Sequence, residues 1–309
     1  MKLSLFDLHC DTAGEMLRQG QPLDCNSLAV SLQKAAVFSE YVQVMAHWTP
    51  FPLKDEEGWE HYLRMTENLR RDPALEQGKA RIVTSFPTSG TGASLFLAIE
   101  DVRILAGKQE RVDTLYQNGI RIITPLWKGS TIIGGSHDTE EGLTAFGKAS
   151  MKRAVELGIV LDISHASVQS ANDVFEISAE VHRPVIASHS NAYDVCSVSR
   201  NLRREQVQAI VASNGVIGLN LYKGFLTLDK TATAEDALRH IDYFLTLGAK
   251  DHLALGCDMD GCDLPPDIPN LSALPHLAEL MQAHGYPEEL IHAIFYGNAA
   301  RFAKIYLCK

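Results

Sequence analysis

Gly158-Ile159-Val160-Leu161-Asp162-Ile163-Ser164-His165 decides how this chain is read. An unbroken Val/Ile/Leu run is what a parallel strand buried on both faces looks like, and this one ends in a histidine. The same construction recurs in Pro184-Val185-Ile186-Ala187-Ser188-His189 and in Ser4-Leu5-Phe6-Asp7-Leu8-His9-Cys10-Asp11. Ser94 to Glu100 ends in an acid, as does His252 to Asp258. Tyr41 to His47, Gly119 to Thr124 and Gly215 to Asn220 complete a set of eight apolar runs. Helical patterns separate most of them, at residues 56–72, 107–117, 145–157, 167–179, 202–213 and 234–247. Alternation of this kind predicts a parallel sheet. Eight units predict an α/β fold of the (β/α)8 TIM-barrel type, spanning residues 1–309 as one domain with helices near 272–284, 287–296 and 298–307 closing the chain. No GxGxxG follows the first run, which argues against a dinucleotide-binding sheet.

Composition narrows the function classes. With 46% apolar and 21% charged residues in 309 positions, the chain can bury a substantial core. A formal charge of −10 and the lack of a Lys/Arg cluster exclude a nucleic-acid partner from the expectations. No apolar stretch approaches the roughly 18 residues of a membrane span. The six cysteines form no CxxC pair and read as reduced thiols. Met1 runs directly into the first strand, so the expected setting is cytoplasmic. Thr88-Ser89-Gly90-Thr91-Gly92 is turn-rich but lacks the Lys of a phosphate loop. The polar stretch Lys128 to Gly142, with Gly134-Gly135 and His137, is the longest candidate for a loop covering a substrate.

In a barrel of this type chemistry sits at the C-terminal ends of the strands. Those ends carry His9, Asp11, Glu100, His165, His189 and Asp258. Taken singly, each has an ordinary explanation: a packed histidine, a helix-capping acid, or an Asp serving the turn at Gly261. Taken together, three histidines and three acids at one end of one barrel are hard to explain as packing, because buried ionisable groups need partners. Imidazole nitrogen and carboxylate oxygen suit two divalent metal ions, zinc favoured, with manganese, iron or cobalt fitting the same shell. Such a pair can share a carboxylate and a bridging hydroxide and polarise a carbonyl. Asp258 is the candidate for moving the proton to the leaving amine, with Asp260 as its rival. His61, His182, His240, His276, His284 and His292 are expected on the surface. His252 lies at the wrong end of its strand. His47 ends the second strand at the right face and is retained as an outside candidate.

The stretches FDLHCDT, LFLAIED, YQNGIRIITP, ELGIVLDISHAS, RPVIASHSNA, SRNLRREQVQAI, NGVIGLNLY, HLALGCDMDG and YGNAARF, in this order, resemble the membrane (renal) dipeptidase family, the M19-type metallopeptidases of the amidohydrolase-like barrels. The resemblance implies a zinc-dependent dipeptidase that tolerates a D-residue on the C-terminal side. It implies that His9 and Asp11 bind one zinc, that Glu100 bridges, and that His165 and His189 bind the second. It further implies Asp258 for proton transfer and Arg200 for the substrate carboxylate.

Two departures touch the substrate pocket. The histidine that the family commonly places after the fourth strand is Trp127 here, so either Trp127 donates from its indole N–H, or His137 folds in, or the substrate differs. Where the family often continues the bridging glutamate as EGGH, this chain has Glu100-Asp101-Val102-Arg103. The alternatives are therefore an amidohydrolase for another small amide, such as an N-acyl amino acid or a lactam, and a non-catalytic metal-binding relative. The expected partner is a small-molecule dipeptide; a homodimer is left open.

Overall fold

The computed structural model describes residues 3–86, 92–229 and 231–307. The turn-rich stretch Thr88–Thr91 lies outside the described residues. Among the described residues nine strands form one parallel sheet: β1 Leu5–Cys10, β2 Tyr41–Trp48, β3 Ala80–Ile82, β4 Ala93–Glu100, β5 Ile120–Thr124, β6 Val160–Asp162, β7 Val185–Ile186, β8 Ile217–Leu219 and β9 Leu253–Leu255. Eight of them run in the order β7-β6-β5-β4-β2-β1-β9-β8. Between β7 and β8 the bridge Ala187–Ile217 closes the ring, with the Ala187 N–H donating to the Val216 carbonyl at 3.0 Å and the Gly218 N–H to the Ala187 carbonyl at 2.7 Å. The eight strands thus make a nearly closed barrel. The ninth, β3, comes from the short apolar run after Gly78. It pairs with Ala93–Leu95, and β5 takes over the same edge of β4 from Leu97 to Glu100.

Strand alternation sorts the core into two layers. Phe6, Leu8, Val42, Val44, Phe96, Ala98, Ile122, Val160 and Ile186 fill the barrel, and Ala299, Phe302 and Ala303 of the helix Asn298–Tyr306 plug its floor. Leu5, Met45, Leu97, Ile99 and Leu161 face outward under the surrounding helices. One irregularity matters for function. The β1–β2 register shifts between Asp7 and Cys10. Strict alternation would send His9 outward with Leu5; the shift turns it to the mouth, while the Cys10 thiol points out onto the Met45 sulfur at 3.4 Å.

Two histidines depart from expectation. His240 is fully buried, not on the surface. Its Nδ1 accepts the Ala192 N–H at 3.1 Å and its Nε2 pairs with the Leu226 carbonyl at 2.9 Å. His47 ends up outside the barrel wall, against Tyr62, with Nδ1 on the Ala98 carbonyl at 3.2 Å. Odd positions of β2 face the helices, so His47 does not reach the mouth. The residue after it, Trp48, does.

Candidate active site

His9, Asp11, Glu100, His165, His189 and Asp258 meet at the C-terminal mouth of the barrel. Each lies at the end of a strand or within three residues beyond it. Tight turns aim two of them: His165 and Asp258 have φ of 67° and 60°, left-handed values that non-glycine residues hold only when the surroundings dictate it. Gly261 supports the same corner. A Cβ on it would lie 2.0 Å from Asp11 Oδ2 and 2.7 Å from Asp258 Oδ1.

Glu100 sits at the centre, 3% exposed. Its Oε2 lies 3.6 Å from His9 Nε2. Its Oε1 lies 2.9 Å from His165 Nε2 and 3.4 Å from His189 Nε2. His9 Nε2 is also 3.4 Å from Asp11 Oδ2 and 3.9 Å from Asp258 Oδ1. These distances define overlapping groups able to hold a cation: His9–Asp11–Glu100, Glu100–His165–His189 and His9–His189–Asp258.

Hydrogen bonding fixes which ring nitrogens face inward. His165 Nδ1 lies 3.0 Å from the Trp127 carbonyl, which can only accept, so Nδ1 carries the proton. For His189 the logic runs through Asp162. Its carboxylate accepts from the Ser164 and Ser188 N–H groups and from the Thr124 and Ser188 hydroxyls. Having donated its proton to Asp162, the Ser188 Oγ must accept from His189 Nδ1 at 2.7 Å. Both Nε2 atoms therefore present lone pairs, 3.0 Å apart and facing the Glu100 oxygen. His9 Nε2, Asp11 Oδ1 and Glu100 Oε1 are buried without a hydrogen-bond partner. Two imidazole lone pairs and buried carboxylate oxygens that converge with His9 Nε2 on one point are a donor set that suits divalent cations.

The electrostatics agree. Burial pulls the His9 imidazole down, but Glu100, Asp11 and Asp258 outweigh it and raise it to about 10, the response of a site that favours positive charge. Burial, with Arg200 adding to it, pushes His165 and His189 well below the usual imidazole range. Burial pushes the Asp258 carboxyl up to about 7.

Around this centre stand the remaining candidates. Asp258 Oδ2 accepts from Asn220 Nδ2 at 3.0 Å, which leaves Oδ1 facing His9. Asp260 is occupied elsewhere: it accepts from Thr12 Oγ1 at 2.6 Å and the Ala29 N–H at 2.6 Å, pinning the chain before residue 31. Arg200 is buried, donating to Ser190 Oγ at 2.8 Å and the His189 carbonyl at 3.0 Å, with Nε unpartnered. It lines a cavity of 390 Å³ with His137, Ile163, Gln169, Ser199 and Arg203. The His137 ring centroid is 5.9 Å from that of His165 and its Nδ1 is 3.0 Å from Ser199 Oγ. Burial lowers its pKa to about 4, so the ring is neutral. The Trp127 ring lies 6.4 Å from His165 and 5.0 Å from Trp48. Asp162, Ser188, Asn220 and Trp48 escaped the sequence reading. Only Asp162 left a signal there, as an acid inside an apolar run.

Comparison with known proteins follows this geometry. The profile of the family described as membrane dipeptidase, peptidase family M19, matches residues 1–306. An uncharacterised protein in the pqqA 5′ region of Klebsiella pneumoniae is 33% identical over 210 residues, 64% of this chain and 76% of that protein. A solved dipeptidase AC, a metallopeptidase of family M19, superposes with a TM-score of 0.91 at 25% identity over the whole of both chains. A metallopeptidase from Rhodobacter sphaeroides, solved with a phosphinate mimic of the dipeptide L-Ala-D-Ala, gives 0.91 at 24% identity over 99% of this chain and 100% of that one, a likeness of fold.

Proposed function

Since the chain belongs to the membrane dipeptidase family, peptidase family M19, whose members are metallo-dipeptidases, we propose that it hydrolyses the amide bond of dipeptides, L-Xaa-D-Xaa among them, at a binuclear site for divalent ions, with zinc preferred. The observation that carries this reading is the cluster of buried imidazole nitrogens and carboxylate oxygens converging around Glu100. His9 and Asp11 would hold one ion and His165 and His189 the other, with Glu100 common to both groups. Bound there, two divalent ions supply Lewis acidity to the scissile carbonyl and lower the pKa of attacking water.

The chain's own residues do the rest. Arg200 pairs with the substrate's terminal carboxylate, a role that suits a buried guanidinium with a free Nε–H. Asp258 takes a proton at Oδ1 and returns it to the leaving amine, while Asn220 fixes the other oxygen. The three hydrogen bonds that Asp260 accepts from Thr12, Ala29 and Val30 support Asp258 over Asp260 in this role. Trp127 and His137 border the substrate. Among the described residues no helix is long and apolar enough to cross a membrane. Cys10, Cys25, Cys196, Cys257 and Cys262 are all free thiols, which supports a reducing, cytoplasmic setting.

Elemental analysis of protein purified without added metal, paired with hydrolysis of L-Ala-D-Ala and its L,L counterpart, tests the reading. Two ions per chain with turnover are expected. Protein that takes up no metal on reconstitution would refute it.

A further inference from the structure

Both departures of this chain from the family pattern belong to one structural device. Trp127 packs at 5.0 Å from Trp48 and 5.9 Å from Phe51. Trp48 ends β2, in register with Glu100 on β4, so it enters the mouth beside the central carboxylate. Its indole Nε1 is buried and has no partner. Phe51 is 48% exposed, an apolar ring spent on the rim rather than in the core. The loop that carries it is held from below by Arg103, which donates to the carbonyls of Thr49, Pro50 and Leu53 at 2.9–3.0 Å. Arg103 is itself paired with Asp101, and its guanidinium carbon lies 5.2 Å from the Phe51 ring. The Asp101-Val102-Arg103 sequence thus braces the wall that Trp127 completes.

The Trp48–Phe51 part of the wall lies opposite Arg200, and Trp127, after β5, stands between them beside His165. Arg200 is tied to the His189 carbonyl after β7, and β2 is four strands from β7 around the ring. A dipeptide with its carboxylate on Arg200 and its amide at Glu100 must direct its N-terminal residue toward β2. We propose that Trp48, Phe51 and Trp127 form a recognition surface selecting substrates with a large apolar or aromatic N-terminal side chain; this rests on the dipeptidase reading above. A rigid aromatic surface gains most from a flat apolar partner, and little from a methyl group.

The test compares kcat/KM for L-Phe-D-Ala and L-Ala-D-Ala on the metal-loaded full chain, for wild type, Phe51→Ala and Trp127→His. Wild type should favour the Phe peptide by about tenfold or more, and Phe51→Ala should cut that ratio several-fold. Phe51 is on the rim, so this variant folds, and thermal unfolding verifies it. A wild-type ratio near one, or a ratio that Phe51→Ala leaves unchanged, overturns the proposal. If neither peptide is hydrolysed, the dipeptidase reading fails by itself. The wall is then judged by tryptophan fluorescence: tighter titration by the Phe peptide, weakened in Phe51→Ala, supports it, and equal titration by both peptides overturns it.

Discussion

At the scale of the residue, the site separates groups that meet a ligand from groups that orient them. Asp258 stands in the first class. Its Oδ1 faces His9 at 3.9 Å and its Oδ2 is pinned by Asn220. Asp258→Asn keeps the shape and removes the proton acceptor, so kcat should fall roughly 100- to 10,000-fold with metal content unchanged. Wild-type turnover in a fully loaded Asp258→Asn protein would remove Asp258 from the mechanism. Ser188 stands in the second class. It touches no substrate, but it relays the acceptor preference of Asp162 to His189 Nδ1 and so keeps Nε2 free. Ser188→Ala should weaken metal binding by roughly 10- to 100-fold. Competition with a chelator of known affinity measures this, and an unchanged dissociation constant would show that the tautomer is set by something else.

At the scale of the element, strand ends were legible and loops were not. A continuous apolar run ending in His or an acid carries its information locally, which is why the positions of His9, Glu100, His165, His189 and Asp258 at strand ends are legible in the sequence alone. The turn of His9 into that mouth was not legible, because it depends on a register shift against β2, a property of two strands together. Trp48 was missed for a simpler reason: β2 runs one residue further than the apolar pattern. The buried His240 was missed because a polar residue on an amphipathic helix looks solvated unless the loops reaching it are known; here the Leu226 carbonyl and the Ala192 N–H come from different loops. The brace at Arg103 belongs to this scale as well. Asp101 is fully buried with φ of 67°, and burial raises its carboxyl to about 6 even beside Arg103. Arg103→Leu would strand that acid and release three loop carbonyls, a cost of about 3–5 kcal/mol. Urea unfolding should show this loss, and Asp101→Asn in the same chain should recover part of it. A single variant within about 1 kcal/mol of wild type would mean that the loop needs no brace.

At the scale of the whole molecule, stability is tied to the same groups. His240 is neutral in the fold, because a proton on Nδ1 would displace the Ala192 N–H; burial lowers its pKa to about 4 from an ordinary 6.5. Its stabilisation is complete above pH 6.5 and is lost as pH falls toward 4, by up to about 3 kcal/mol. The stability advantage of wild type over His240→Gln should shrink across that window, and a constant difference would sink the assignment. The site has a larger structural consequence. The ring closes between β7 and β8 over a short contact, the bridge Ala187–Ile217 and three backbone hydrogen bonds, against seven paired positions between β2 and β4. Across that seam Gly218 and Gly256 crowd the Ser188 carbonyl, where a Cβ would lie within 1.8 Å. His189 follows β7, and His9 and Asp11 lie on and after β1, so ions held by them would join the two sides of the seam from above. Ions bound only by the folded chain stabilise it by mass action, about 4 kcal/mol at a thousandfold excess over Kd. That stabilisation should be concentrated at the seam and not spread over the barrel. Hydrogen exchange with and without a chelator measures it. Amides of residues 186–190 and 217–220 should exchange faster once metal is removed, while those of β2 and β4, paired along seven successive positions, should stay protected. An even rise over all strands would mean that the metals stabilise the barrel globally and that the seam is held by its own packing.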